Sequence, residues 1–136
     1  KRALEEHGAK SQVIGDAFTI ENGYKSMLDL LSQKERPTAI FTLNNLIAVG
    51  ALQALREKEV RVPEDISLIS FDEQPYFALT SPPVTTIRQP VKQIAKEAVQ
   101  KLMVRMKGEE TSSLMIRPEI IERKSVMPPI SYCSYE

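Results

Sequence analysis

"TAIFTLNNLIAVGALQALREKEVRVPEDISLIS", Thr38 to Ser70, places a short β-branched and aromatic run, a helix and a second short apolar run in direct succession. Thr38–Thr42 and Ile66–Ser70 lack the polar alternation of a strand with one wet face, so each reads as a buried parallel strand. Parallel neighbours need a long crossover, and the helix from about Asn45 to Lys58 with the loop "VRVPED" supplies one. The stretch is therefore a βαβ unit, and it predicts an α/β fold built on a parallel sheet.

The rhythm continues on both sides. "KRALEEHG" reads as the last turns of a helix, with Ala3 and Leu4 inward and Gly8 as a left-handed stop. "SQVIG" is a short strand candidate and "DAFTIEN" a loop. In "ENGYKSMLDLLSQK", Tyr24, Met27, Leu28 and Leu31 recur at helical spacing, and Gly23 slightly weakens the start. Beyond Ser70, "FDEQPYFALTSPP" is too irregular for an element, and functional loops of α/β folds sit at such strand ends. "VTTI" is a further strand. Pro90 opens a helix to about Lys107, with Val91, Ile94, Ala95, Ala98, Leu102 and Met106 on one face and Gly108 closing it. "SSLMIRPEIIERKSV" reads as a strand, an interruption at Pro118 and a second strand, and the tail "ISYCSYE" has no periodicity.

The helix after Asn44 is apolar on more than one side. At about 100° per residue, Ile47, Ala48, Ala51, Ala54 and Leu55 form one broad face suited to a sheet. Leu46, Val49 and Leu52 fall outside its centre. They form a second strip, to be covered either by a partner or by a neighbouring segment of the same chain.

With 136 residues, the chain is the size of one ordinary domain or a piece of a larger one. Eighteen basic and eighteen acidic residues cancel, so no global field favours a polyanion or an anionic membrane, and the chain is not expected to bind nucleic acid by itself. The single cysteine, Cys133, has no internal disulfide partner, and no apolar run approaches the roughly 20 residues of a membrane helix. A cytoplasmic location follows as the expectation.

Catalytic constellations are missing. His7 is the only histidine and lies in a charged helix end, so no base serves a serine or cysteine nucleophile. No GxSxG, phosphate-binding glycine loop or Cys/His metal spacing occurs, which points away from an enzyme and from any cofactor or metal. Asp72 and Glu73 are adjacent and point to opposite faces, so they cannot flank one bond. What remains is polar groups at strand ends. Asn44 follows "TAIFT", Asp72 follows "ISLIS", and Phe18 lies in the loop after "SQVIG". Parallel strands align their C-terminal ends, so the three are candidates for one crevice. A carboxylate and an amide take sugar hydroxyls while an aromatic face packs on the ring. The alternative assigns Asn44 and Asp72 to caps and Phe18 to the core.

"PTAIFTLNNLIAVGALQALREKEVRVPEDISLISFDEQPYFALTSPPVTTIRQP" resembles the C-terminal signature of the LacI/GalR family of bacterial transcriptional regulators, with similarity from "KRALEEHGAK" through "EIIERKSV". Two positions depart from the family pattern: Asn45 stands where aspartate is usual, and Ser70 where glycine is usual. The resemblance implies an incomplete α/β, parallel-sheet, Rossmann-like sensor lobe of the periplasmic-binding-protein type, with an N-terminal helix-turn-helix for operator DNA upstream of this chain. Residues 1–87 would be part of the C-terminal subdomain, 88–113 a crossing and a helix of the other subdomain, and 114–136 the returning strands and tail. By position, Phe18 matches the ring-stacking aromatic, and Asn44 and Asp72 the hydroxyl-binding pair. Family dimers imply a seam through Leu46, Val49 and Leu52, with Tyr76 and Phe77. The expected partners are a small sugar-like effector and a second copy of the chain, with no membrane. The competing reading is the solute-binding protein of a transport system, which shares the fold and is exported.

Overall fold

The computed structural model describes residues 5–8 and 11–128. Expectations for Ala3, Leu4, Cys133 and the tail from 129 onward lie outside the described residues. The chain divides into two compact units, one of residues 1–36 and 46–60, the other of residues 37–45 and 61–136.

The first unit centres on two helices, α1 (Ile20–Ser32) and α2 (Asn45–Glu57, of which Asn45 falls in the second unit). Thr19 caps α1: its hydroxyl accepts from the Asn22 N–H at 3.1 Å, and Glu21 in the first turn complements the helix dipole. Met27 and Leu31 of α1 are buried, as are Ala48, Ala51, Ala54 and Leu55 of α2, the face that the apolar spacing selects. The helices touch backbone to backbone. A Cβ on Gly50 would stand 2.0 Å from the Ile20 carbonyl oxygen, and one on Gly23 would stand 2.3 Å from that of Ile47. Gly23 is thus a contact residue of α1 rather than a weak start. Gly8, at φ +67°, ends the helical turn at Glu5 and Glu6, as expected.

Residues 11–15 form no strand, contrary to the reading of "SQVIG". A strand exists only as part of a ladder, and this run has none among the described residues. Phe18 is 64% exposed, so it is not a core residue.

The second unit holds a sheet of β1 (Ala39–Thr42), β2 (Ser67–Phe71), β3 (Thr85–Arg88) and β4 (Glu119–Ile121), in that spatial order. The first three are parallel and β4 runs antiparallel to β3. β2 buries Ser67, Leu68 and Ser70, and β3 buries Thr85 and Thr86. β1 is parallel as expected but, among the described residues, lies at the sheet edge, and Phe41 is 50% exposed. Its apolar run gives no sign of pairing with only one strand among the described residues. "SSLMIRPEII" yields only the short β4, because residues 114–118 pair with no strand among the described residues. After β4 the chain returns across β2 and β3: Lys124 N–H donates to Pro83 O, Leu68 N–H to Ser125 O, and the Ser125 hydroxyl accepts from Thr85 N–H while donating to Leu68 O.

Between β2 and β3, Pro75–Ala78 forms a 3-10 turn where an irregular loop was expected. Pro75 suits its first turn because the missing N–H has no helical partner there. α3 (Val91–Met106) begins after Pro90, ends before Gly108 at φ +83°, and buries none of its residues.

Candidate functional site

Register explains why Asn44 and Asp72 are brought together. Thr42 of β1 pairs with Ser70 of β2, so Asn44 and Asp72 each lie two residues beyond the same rung, at the C-terminal ends of parallel neighbours. Both are half-buried. Ser70, fully buried, places its hydroxyl 2.9 Å from the Phe71 carbonyl oxygen and 3.5 Å from that of Asn44. The Ser70 hydroxyl thus lies between the ends of the two strands, nearer to its own.

Asp72 is left-handed, φ +69°, a conformation that costs a non-glycine residue roughly 1 kcal/mol or more. Its N–H donates to Ile87 O at 3.0 Å, and Gln89 donates its side-chain amide to Asp72 Oδ1 at 2.6 Å. Gln89 follows β3, so the ends of three parallel strands supply an amide, a carboxylate and a second amide. Gln89 escaped the sequence reading because a lone glutamine after a strand carries no pattern.

Glu73, which follows the left-handed Asp72 beyond the end of β2, enters a separate cluster. Arg123 grips it at two points, Nη2 to Oε1 at 2.6 Å and Nη1 to Oε2 at 3.0 Å, and also donates to Val84 O at 2.7 Å and Thr86 Oγ1 at 3.2 Å. The Thr86 hydroxyl donates to Glu73 Oε2. Both side chains of the ion pair are only 16% exposed. The hydrogen bonds from Arg123, then that from Thr86 and the Arg123 charge, outweigh burial and hold the Glu73 carboxyl below its ordinary range. The two carboxylates thus have different partners, one accepting a neutral amide and the other a guanidinium.

Asn45, where aspartate is usual, donates its amide to the Tyr76 hydroxyl at 3.2 Å, joining the start of α2 to the 3-10 turn. Phe77 is 0% exposed, and its ring centroid lies 4.8 Å from that of Tyr76. Phe77 is therefore a core residue of its own unit, which corrects its expected place in a seam. The alternating faces of a tight turn send one aromatic in and leave the other, Tyr76, at the surface. Of the remaining seam residues, Leu46 is 41% exposed, and Val49 and Leu52 are half-buried.

A cleft of about 330 Å³ in the first unit, lined by Leu28, Leu31, Ser32, Arg36, Lys58 and Val60, includes none of the candidate residues. Among the described residues no group of three His, Cys, Asp or Glu side chains is placed to hold a metal ion, and no helix is long and apolar enough to cross a membrane.

Residues 1–126 match the family model of the periplasmic binding protein-like domain. The chain is 42% identical over 121 residues to the HTH-type transcriptional repressor PurR of Haemophilus influenzae strain PittEE, covering 85% of this chain and 36% of that protein. It is 39% identical over 130 residues to the PurR repressor of Escherichia coli O1:K1, covering 92% of this chain and 38% of the relative. The chain thus spans under two-fifths of the length of these curated relatives. Among solved structures, a LacI family transcriptional regulator from Bifidobacterium animalis subsp. lactis superposes with a TM-score of 0.86 at 30% identity, over 93% of this chain and 47% of that one. A sugar-binding LacI-family regulator from Escherichia coli, complexed with phosphate, gives 0.81 at 28% identity, over 94% and 48%.

Proposed function

Because the chain belongs to the periplasmic-binding-protein-like domain family, in the form that LacI-family regulators carry, we propose that it is the effector-sensing and dimerising portion of a cytoplasmic LacI/GalR-type transcriptional regulator. The whole protein would bind operator DNA through a further domain, and a small hydroxylated, sugar-like molecule would control that binding. Residues 1–87 belong on this reading to one subdomain, 88–113 to the crossing and a helix of the other, and 114–136 to the returning strands and tail. Resemblance to repressors favours the regulator over a transport protein of the same fold.

The observation that carries the ligand reading is the alignment of Asn44, Asp72 and Gln89 at the ends of adjacent parallel strands. A carboxylate accepts from two vicinal hydroxyls, and an amide both donates and accepts, so the set matches a polyol better than an anion or an apolar ligand. Phe18, exposed in the first unit, is assigned to the apolar face of the ligand ring. Leu46, Val49 and Leu52, with Tyr76, are assigned to the dimer seam. A thermal-shift screen of sugars, sugar phosphates, nucleosides and purines on the whole protein tests the reading. A stabilising sugar whose effect is lost in Asp72→Ala is expected. Stabilisation by a purine or phosphate alone, unaffected by Asp72→Ala, would replace the polyol.

A further inference from the structure

The Glu73–Arg123 pair stands beside the candidate site without belonging to it. Glu73 directly follows Asp72, and Arg123 comes from the segment after β4, fifty residues downstream. Arg123 reaches Glu73, Val84 and Thr86 together, so one side chain ties the peptide after Asp72 to β3 and to the residue preceding it. On the other side, the Asp72 N–H is held by Ile87 O, also on β3. A left-handed aspartate persists only where its surroundings over-determine it, and here the restraints converge from both sides.

We propose that Arg123, acting through Glu73, is a positioning residue for Asp72. It fixes the peptide on the carboxyl side of Asp72 and so keeps that residue left-handed, with Oδ1 on Gln89. A lysine would retain the charge and lose the fork that engages both Glu73 oxygens together with Val84 O and Thr86 Oγ1. The functional sense of the proposal rests on the reading of Asp72 as a ligand-holding group, while its structural claim is tested separately.

The test is hydrogen–deuterium exchange by mass spectrometry on the whole protein, comparing the peptide that contains Asp72 and Glu73 with one from within β2. The variants are Arg123→Lys and Glu73→Gln, and D-ribose and D-glucose binding is followed in parallel by calorimetry. Arg123→Lys is expected to speed exchange at the Asp72 amide by about tenfold or more, with β2 unchanged and affinity for whichever sugar binds reduced by a similar factor. Glu73→Gln, which keeps side-chain length and one acceptor, is expected to act in the same direction but less, and it decides the matter if Arg123→Lys does not fold. Unchanged exchange at Asp72 overturns the proposal. So does an equal rise across β2, which would make the pair a general clamp. Faster exchange confined to Asp72 with neither sugar bound by the wild type leaves the positioning role standing and counts against the polyol reading alone.

Discussion

Asp72 combines a left-handed backbone with a carboxylate that accepts from the neutral amide of Gln89, so on the proposed reading a ligand hydroxyl would meet an acceptor already oriented. Charge-assisted hydrogen bonds of this kind are worth about 1.5–3 kcal/mol. Asp72→Ala in the whole protein is therefore expected to weaken sugar binding by roughly 2 kcal/mol or more, read by calorimetry; intact affinity with preserved stability would make Asp72 a structural turn residue. Asp65 shows the opposite use of a carboxylate. Arg61 donates from Nε and Nη2, at 2.9 and 2.6 Å, and from its backbone N–H at 2.8 Å, and these hydrogen bonds depress Asp65 from an ordinary 3.8 to about 2. A depressed carboxylate stabilises the fold above its unfolded value and loses that contribution as pH falls through its folded value. Asp65→Asn is thus expected to lower the melting temperature slightly at pH 7, the gap to wild type narrowing from about pH 4 and closing near pH 2; a pH-independent gap would show that charge is not involved. Asn44 and Asp72 were readable in the sequence because a strand end is a place the pattern marks. Gln89, Arg123 and the inward turn of Phe77 were not, because each depends on a partner brought close only by folding.

At the scale of elements, α1 and α2 show how two glycines of low helix propensity become an asset. Alanine in place of Gly50 gains about 1 kcal/mol of intrinsic propensity. Its Cβ, however, would meet the Ile20 carbonyl oxygen at 2.0 Å and the Tyr24 nitrogen at 2.6 Å, which are backbone atoms with no rotamer to change. The helices would have to separate, and overpacking of this sort costs about 1–3 kcal/mol before any exposure of the buried Met27 and Ala51 is added. Gly50→Ala is expected to destabilise the protein by roughly 2 kcal/mol in urea unfolding, and a neutral or stabilising result would mean that the crossing is loose. The sequence shows each helix through its period but not the crossing, since a glycine reads as weakness until its neighbour is known. Strands divide in the same way. β2 and β3 were readable because runs of Ile, Ser and Thr sit between strong turn signals, whereas "SQVIG" and "SSLMI" have similar composition and no ladder among the described residues. Composition makes a strand possible and only a neighbour makes it real.

For the whole molecule, balanced charge and exposed apolar surface lead to opposite expectations for two kinds of partner. Eighteen charges of each sign leave no net positive excess to attract phosphates, so this chain alone is not expected to retard operator or random DNA at physiological salt, and a salt-sensitive gel shift would refute that. Self-association has a stronger basis. α3 buries none of its residues and leaves Val91, Leu102, Met103 and Met106 exposed, and Leu46 on α2 is exposed beside the half-buried Val49. Covering a few hundred Å² of such surface at about 25 cal/mol per Å² yields several kcal/mol before association costs, enough for a dimer at micromolar concentration. A two-fold seam repeats each contact, so one substitution acts twice. Val49→Asp places a carboxylate where an α2 seam has no partner for it, and the desolvation cost falls on both copies. The chain is expected to sediment as a dimer at high micromolar concentration and Val49→Asp as a monomer with unchanged helical content. A monomeric wild type would remove the seam altogether; a dimer indifferent to Val49→Asp would move it to the apolar face of α3, where Leu102→Asp would then be the disruptive change.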